Sequence, residues 1–383
     1  MKILFVAHSG KLSGGANRSL LILMAGLREQ FGVQPALLVP GKDTPLEKQC
    51  KDIGIPVYTG AYHTCCTVYH GTPKDILRAA KLLLAPLLDK REASRLDKRL
   101  PDDFDVYYTN ERMTCAGGYL AHLRGKPHVW HVRSFSKENR TWFPPRWYQK
   151  MNRYADRIVL VSQALCEDFS RHVPSAKLRV VYNGLEPERY LVPQRRAHVG
   201  FRLLLAGRLT PAKGQEDALR ALDILVHKFH VNAYLSFAGE TPAYEGTAYA
   251  RRLRRLTDKL NLKDRVTFLG EVDDLSAIRS ESDAELVCSW MEPFGRTTVE
   301  AMLAGLPVVG TAAGGTAEII ADGKTGLLYP PRDAAALSDR LDWLHTYPQK
   351  AWKMGRAGRE RALARFTAQQ TVSHVMEVLH ELL

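Results

Sequence analysis

Two glutamates eight positions apart stand out in the second half of the chain. Glu292 and Glu300 flank the sequence Pro-Phe-Gly-Arg-Thr-Thr-Val, where a buried strand gives way to a helix beginning near Thr297. If the whole stretch were helical, the carboxylates would be separated by about 12 Å, which suits the two ends of one extended ligand better than a proton-sharing pair. A helix cap with two surface acids is the alternative.

Groups that can bind an anion lie in and near this segment. The free amides of Gly295 to Thr298 at the start of the helix can hold a diphosphate between the two glutamates. A second strand-to-helix loop carries Arg208 and Lys213 five positions apart, so both can fold onto one diphosphate, the first as a fork and the second as a point charge. Two solvated surface cations are the alternative.

Two features of the first half of the chain could contribute to the same chemistry. Gly14 and Gly15 follow the first strand, where paired glycines let the backbone approach a phosphate or simply make a turn. The pattern is not G-x-G-x-x-G, which disfavours a dinucleotide site. His131 ends a strand, so we expect it to point into a cleft, although most single histidines are structural or surface residues.

Alternating strands and helices position these residues. Ten apolar runs predict buried parallel strands, and they fall into two sets of five: 3–7, 36–39, 106–109, 129–132 and 158–161, then 201–206, 233–238, 266–269, 284–288 and 307–310. Helical patterns separate them, for example at 18–31, 73–99, 214–227 and 249–260. The sequence therefore predicts an α/β protein with two Rossmann-like, doubly wound domains facing a central cleft.

The predicted domains are residues 1–187 and 199–366, joined by a polar linker near 187–199. An amphipathic helix from 367 to 383 carries an apolar stripe, which we expect to pack back on the first domain. The first apolar run is short and ends at His8, so it indicates a strand rather than a signal peptide. The six cysteines match no zinc-site spacing and fit a reducing cytosol.

The motifs, in this order, resemble retaining glycosyltransferases of family 4, which have the GT-B fold. The resemblance rests on SGGANRSL (13–20), VYNGLEPERY (181–190), LLLAGRLTPAKG (203–214), FLGEVDD (268–274), EPFGRTTVEAMLAGLPVV (292–309) and GGTAEIIADGKTGLLYPP (314–331). It is weakest over 59–103. It implies transfer of a hexose-type sugar from a nucleotide-sugar donor, UDP being favoured over GDP, without a metal or other cofactor.

The resemblance also implies roles. Arg208 and Lys213 would bind the donor diphosphate and stabilise its departure, and Glu300 would bind the ribose. Glu292 would bind the transferred sugar, and His131 would lie near its anomeric carbon. The remaining donor-binding residues that it implies are Gly14, Gly15, Phe294, Gly295, Arg296, Thr297 and Thr298. His131 is followed by Val132, where the family often has an acidic residue.

Charge and aromatic residues guide the expectation for the acceptor. The formal net charge is +13, which favours anionic partners. Residues 74–99 combine a leucine-rich centre with cations, and residues 141–150 mix aromatics with cations. This predicts a lipid-linked or polysaccharide acceptor and contact with an anionic membrane at its cytosolic face; an ordinary solvated helix is the alternative. Nucleic-acid binding is disfavoured because no recognition motif accompanies the charge.

Two other functions remain open at this point. A GT-B-fold sugar-nucleotide epimerase would need acid–base groups at the sugar and no acceptor site. A non-catalytic subunit that binds a sugar nucleotide is the other alternative, and the intact set of Arg208, Lys213, His131, Glu292 and Glu300 argues against it.

Overall fold

The computed structural model covers the 383-residue chain and describes residues 1–12, 15–68, 74–135, 141–143, 146–192, 197–241 and 247–383. The chain divides into two compact units, the first formed by residues 1–184 with 368–383 and the second by residues 185–367. Gly14, Pro73, positions 144–145 and positions 193–196 of the predicted linker lie outside the described residues.

The first unit is built on a parallel sheet. Its strands are β1 (Lys2–Ala7), β2 (Gln34–Pro40), β3 (Val57–Gly60), β4 (Thr67–Val68), β5 (Val106–Asn110), β6 (His128–Val132), β7 (Thr141–Trp142), β8 (Arg157–Leu160) and β9 (Leu178–Val180). Seven of them pair in the order β3-β2-β1-β5-β6-β8-β9, all parallel, whereas β4 and β7 form a separate antiparallel pair.

Helices cover this sheet, as short parallel crossovers require. They are α1 (Gly15–Phe31), α2 (Pro45–Asp52), α3 (Lys74–Asp97), α4 (Ala116–Arg124), α5 (Trp147–Tyr154) and α6 (Gln163–Ser170), with a 3-10 turn at Ser175–Lys177. The core lies between the sheet and its helices and includes Ile3, Phe5 and Ala7 of β1, none of which has exposed surface.

The second unit repeats the plan. Its strands are β10 (Phe201–Ala206), β11 (Ala233–Ala238), β12 (Val266–Gly270), β13 (Ala284–Val287), β14 (Val308–Thr311) and β15 (Leu327–Tyr329). They form a parallel sheet in the order β12-β11-β10-β13-β14-β15. Its helices are α7 (Gln215–His227), α8 (Ala248–Lys259), α9 (Ser276–Ser280), α10 (Arg296–Leu303), α11 (Gly314–Ile319), α12 (Ala334–Thr346) and α13 (Pro348–Arg365), with 3-10 turns at Pro187–Arg189, Pro211–Lys213 and Lys263–Arg265.

The last helix, α14 (Ala368–His380), returns to the first unit. Its buried stripe, which includes Val372, Val375 and Leu379, belongs to the core that contains α1 and β1. Gly26 of α1 makes this possible, because a Cβ there would lie 2.5 Å from a methyl group of Val372. Helices α1 and α14 can therefore pack closely, because α1 has no side chain at this point of contact.

The two doubly wound parallel sheets confirm the predicted fold class, and each of the ten predicted strands corresponds to an observed one. In each sheet the strand order reverses once, between β1 and β5 in the first and between β10 and β13 in the second. Ligands of open parallel sheets bind beyond the carboxyl ends of the strands at such a reversal. A ligand site is therefore expected at the loops that follow these four strands.

Candidate functional site

The loop after β10 carries Arg208 and Lys213 and has a fixed backbone. Gly214, with φ of +68°, closes it, and a Cβ at that position would lie 2.2 Å from the carbonyl oxygen of Cys288. Only glycine fits there, so the loop is held against the carboxyl end of β13. The buried Gln215 donates from Nε2 to the carbonyl oxygen of Arg208 at 2.9 Å, which fixes the other end of the loop.

Lys213 and Glu292 come together at this strand reversal. Lys213 Nζ lies 2.6 Å from Glu292 Oε2, and their side chains are 17% and 15% exposed. The backbone of Glu292 is fixed from the opposite side, where its carbonyl oxygen accepts from the Gly315 amide at 2.8 Å. A hydrogen-bond donor and an acceptor of opposite charge therefore face the same small region from two loops, and solvent still reaches both.

Helix α10 begins beside this pair. It starts at Arg296, one residue before the predicted Thr297, and its N-cap Gly295 has φ of +109°. In the described part of the chain no side chain caps this end of α10. The helix dipole and the orientation of the amides in the first turn make this end of α10 favourable for an anion.

Two threonine hydroxyls lie around Gly295. A Cβ on Gly295 would lie 3.1 Å from Thr298 Oγ1 and 3.3 Å from Thr316 Oγ1. Both hydroxyls are buried and have no hydrogen-bond partner among the described residues. Thr298 is therefore a buried residue of the helix start, and its hydroxyl finds no acceptor in the described part of the chain.

Glu300 belongs to a second ion-pair cluster, one turn into α10. Its Oε2 lies 3.3 Å from Arg279 Nη2, and its Oε1 lies 3.8 Å from Arg296 Nη2. Arg279 in turn makes two hydrogen bonds to Glu285, at 2.8 and 3.0 Å. Arg279 is 3% exposed and Glu285 is fully buried, whereas Glu300 and Arg296 are 19% and 21% exposed, so these two form the solvent-facing side of the cluster.

Burial and ion pairing act in opposite directions on these groups. Burial would lower the pKa of Arg279, but the charges of Glu285 and Glu300 outweigh it and raise that pKa, so the guanidinium stays protonated. Burial raises the pKa of Glu285 despite the opposing effect of Arg279. Neither residue was predicted, although Glu285 interrupts the apolar run of β13. A charged side chain inside a buried strand requires a partner of opposite charge, so the sequence of β13 could have predicted a buried ion pair.

The other residues expected at the donor site differ in exposure. Arg208 is exposed, and Thr297 is partly exposed. The Phe294 side chain is 3% exposed and packs against the ring of Phe366 with centroids 6.0 Å apart. The structure thus brings Lys213, Glu292 and the start of α10 together, while Phe294 serves the core of the second unit.

His131 lies in the first unit, inside β6 and without exposed surface. Its Nδ1 lies 2.6 Å from the Tyr108 hydroxyl and 3.1 Å from Arg133 Nη2. Because a guanidinium can only donate, Nδ1 is the acceptor and the ring proton is on Nε2. That Nε2–H group is buried without a partner among the described residues.

The charge state of His131 follows from its surroundings. Burial, with a further effect from Arg133, holds the pKa of His131 well below its usual value, so the ring is neutral at pH 7. A neutral imidazole with a fixed Nε2–H group can donate a hydrogen bond, but it is a poor proton acceptor at that position. The structure shows a buried donor at the end of β6, and its position relative to a sugar stays a prediction.

Arg133 links His131 to the start of α1. It donates from Nε to Asn110 Oδ1 at 2.7 Å, and Asn110 Nδ2 lies 3.3 Å from Asn17 Oδ1. The Arg133 Nη1 group also donates to Asn183 Oδ1. The polar groups at the ends of β5 and β6 are therefore connected to α1, whose first residue is Gly15. Sequence reasoning missed Arg133 and Asn110.

Two findings concern metals and membranes. Over the residues that the structure describes, His, Cys, Asp and Glu side chains form no group of three or more that could hold a metal ion. Among the same residues, no helix has the length and apolar character needed to cross a bilayer.

Comparison with known proteins agrees with this architecture. Residues 13–189 match Glycosyltransferase Family 4, and residues 194–361 match Glycosyl transferases group 1. Glycogen synthase of Mycobacterium tuberculosis is 32% identical over 59% of this chain and 54% of its own length. N-acetyl-alpha-D-glucosaminyl L-malate synthase of Bacillus anthracis is 27% identical over 60% of each chain. The chain thus spans little more than half the length of these relatives.

Solved structures match over the full length. Anabaena HepE in complex with UDP is 25% identical with a TM-score of 0.79, and its complex with UDP-glucose is 25% identical with a TM-score of 0.77; both cover 100% of each chain. A glycosyltransferase from Rickettsia africae, at 18% identity and a TM-score of 0.79, shares the fold. With two family matches that together span most of the sequence, the chain belongs to glycosyltransferase family 4, the glycosyl transferases group 1, and has the GT-B fold.

Proposed function

We propose that this glycosyltransferase moves a hexose-type sugar from a nucleoside-diphosphate sugar to a lipid-linked or polysaccharide acceptor. One observation carries the donor half: the 2.6 Å contact of Lys213 with Glu292 beside the uncapped start of α10. Cation, carboxylate and helix amides then meet at the strand reversal, where ligands of such sheets bind. The UDP and UDP-glucose complexes of the similar HepE structures favour UDP, and GDP is the second candidate.

The donor would lie along the loops of the second unit. Its diphosphate would take the amides of Gly295 to Thr298, with Lys213 and Arg208 as counter-charges. On donor binding, Lys213 would leave Glu292 and pair with a phosphate of the donor. The Glu292 carboxylate could then accept hydrogen bonds from the sugar hydroxyls. Glu300, held by Arg279, would accept from the ribose hydroxyls.

Transfer would proceed with retention of the anomeric configuration. As the sugar leaves, negative charge grows on the diphosphate, where Lys213, Arg208 and the α10 amides are already in position, so no metal is required. The departing phosphate oxygen would accept the proton of the acceptor hydroxyl, which attacks from the same face. His131, neutral and with its proton on Nε2, would donate a hydrogen bond to a sugar hydroxyl.

Binding of the donor is tested first with a panel of nucleotides and nucleotide sugars and the shift of the unfolding temperature. The Lys213→Ala variant should bind the best nucleotide about 10- to 100-fold more weakly, because a hydrogen bond to a charged group contributes about 1.5–3 kcal/mol. Lys259→Ala, which removes an exposed lysine at the end of α8, is the matched control. Equal affinities of the two variants would disprove the assignment of Lys213.

The stereochemical course is tested by NMR of the product, whose anomeric configuration should match that of the donor. Inversion would refute the proposed course. A covalent glycosyl adduct on Glu292, trapped with a slow donor and found by mass spectrometry, would replace same-face departure with a two-step displacement.

Two other functions make different predictions. An epimerase would convert the nucleotide sugar without an acceptor, so a new nucleotide sugar in a donor-only reaction would favour that function. A non-catalytic subunit would bind the donor without turning it over. Slow donor hydrolysis by the wild-type chain that disappears in Lys213→Ala excludes the second alternative.

The acceptor half of the proposal rests on charge. With a net charge of +13, the chain is suited to an anionic acceptor or to an anionic surface that carries the acceptor. We therefore place the reaction at the cytosolic face of a membrane. We expect sugar transfer to a membrane extract that contains lipid-linked sugars, but not to free oligosaccharides. Transfer to free oligosaccharides alone would contradict a membrane-bound acceptor.

A further inference from the structure

Helix α3 has leucines on its outer face. Six large apolar side chains between positions 76 and 88 are each between 44% and 77% exposed. They are Ile76, Leu77, Leu83, Leu84, Leu87 and Leu88. Isolated exposed leucines are common, but a cluster of this size on one helix marks an interaction surface.

The inner face of the same helix carries carboxylates. Asp89 is fully buried and accepts from the His63 amide at 2.9 Å, and Glu92 is 6% exposed and accepts from the Ala61 amide at 2.8 Å. These acids attach α3 to the segment after β3. Both acids face the protein, and Glu92 also pairs at its rim with Arg95, whose Nη1 lies 3.5 Å from Glu92 Oε2.

Helical spacing puts cations on the leucine face. Positions 77, 81, 84, 88, 91 and 95 follow the i, i+4, i+7 spacing of one stripe, and they read Leu, Lys, Leu, Leu, Arg, Arg. Lys81, Arg91 and Arg95 are exposed. Positions 76, 80, 83 and 87 form the neighbouring stripe, which is entirely apolar. We name the exposed face made by these ten positions the α3 face.

The structure adds an aromatic residue beside this helix. Strand β7 pairs with β4, with Thr67 opposite Trp142, and β4 lies next to α3. Trp142 is exposed. Trp142, more than forty residues beyond the end of α3 in sequence, therefore belongs to a strand pair that contacts this helix.

We propose that the α3 face docks on an anionic lipid bilayer. Apolar side chains with cations along the same stripe match the interface between acyl chains and anionic headgroups, and indole rings favour that depth. An apolar protein surface would complement the leucines, but it would also need acidic residues opposite the cations of the α3 face. A second copy of this chain would bring cation against cation. The inference deepens the proposed membrane acceptor and rests on it, but the docking itself requires neither donor nor acceptor.

The test is flotation of the full chain with vesicles in the absence of donor and acceptor, so it can fail independently of the transferase assay. The wild-type chain should float with vesicles of phosphatidylcholine and phosphatidylglycerol at low salt, but not with phosphatidylcholine alone. The Leu83→Ser/Leu87→Ser variant should bind at least about tenfold more weakly, because two exposed leucines no longer reach the acyl boundary. Trp352→Ser/Leu363→Ser, with two exposed apolar residues of α13, is the matched control and should float like the wild type.

A charge variant provides a second, independent measurement. Arg91→Gln/Arg95→Gln should weaken binding about 25-fold, about fivefold for each cation near the surface. Both side chains are exposed and the ion pair of Arg95 with Glu92 contributes about 1 kcal/mol at most, so the unfolding temperature should stay within about 2–4 °C of the wild-type value. The proposal is overturned if the wild-type chain ignores anionic vesicles, if it binds neutral vesicles equally, or if light scattering shows a dimer that Leu83→Ser/Leu87→Ser dissociates.

Discussion

The cluster of Arg279, Glu285 and Glu300 supports a quantitative prediction for the second unit. Replacing Arg279 by Met removes the two hydrogen bonds that satisfy the fully buried Glu285, at 2.8 and 3.0 Å. An unpaired buried carboxylate makes such a substitution cost about 3–5 kcal/mol. For a unit of this size, 1 kcal/mol shifts the unfolding temperature by about 2–4 °C, so the transition should fall by roughly 6–20 °C.

The double variant Arg279→Met/Glu285→Met separates stability from function. With both buried charges gone, unfolding should return to within about 1 kcal/mol of the wild type, because apolar replacement of a buried pair is often neutral. Glu300 would still lack its 3.3 Å contact with Arg279. If Glu300 binds the ribose, nucleotide affinity should remain about tenfold weaker in this stable protein, equivalent to about 1.4 kcal/mol.

Chemical denaturation and calorimetric titration with the best nucleotide of the panel measure the two effects. Glu300→Gln is the reference for affinity, since it neutralises the proposed ribose-binding carboxylate and leaves the buried pair in place. The reasoning is wrong about stability if the double variant is as unstable as Arg279→Met. It is wrong about Glu300 if the double variant binds the nucleotide as tightly as the wild type.

Three further predictions follow from the contacts. Arg133→Met removes the guanidinium that donates to Nδ1 of His131, so the ring proton can move from Nε2 to Nδ1. The transfer rate should then fall about tenfold while nucleotide affinity stays unchanged, and nitrogen NMR of the ring reports the tautomer. Hydrogen bonds from Arg179 and then Arg157 lower the pKa of Glu381 to about 2 from 4.5, so the stability that Glu381 adds is present above pH 4.5 and lost as pH falls toward 2. Its carboxylate is partly exposed, so Glu381→Gln should lower the unfolding free energy by about 1 kcal/mol at most at pH 7, and the difference from the wild type should vanish near pH 2. Gly214→Ala should destabilise the second unit by at least about 1–3 kcal/mol, measured by denaturation, because the left-handed backbone and the Cys288 carbonyl leave no room for a methyl group; no effect would mean that the loop moves freely.

The strands of the fold were predictable because parallel strands buried on both faces are continuous apolar runs. The strands that the sequence did not reveal are the short ones at sheet edges, such as β9 and β15, each three residues long. A three-residue run is too short to show a period. Helix ends were predicted to within a few residues, as in α10, where Gly295 at φ +109° sets the start one position earlier than expected.

The proposed donor segment could be identified from the sequence because its groups are contiguous. Glu292, Gly295 and Glu300 lie within one strand–loop–helix passage, and Lys213 follows β10 in a second such passage. What the sequence could not show is which partner each charge takes. The pair of Lys213 with Glu292 joins residues 79 positions apart, and the pair of Arg279 with Glu300 joins residues 21 positions apart.

The polar cluster of the first unit has the opposite organisation, and this explains why its chemistry was hidden. Tyr108, His131 and Asn183 come from separate parts of the chain and meet only through strand pairing and the guanidinium of Arg133. No local spacing records such a meeting, because the three groups are 23 to 75 positions apart in sequence. A fixed imidazole proton on Nε2 then follows from a three-dimensional contact with a group that can only donate. The tautomer is thus a property of the fold, and variants of Arg133 test it more directly than variants of His131 itself.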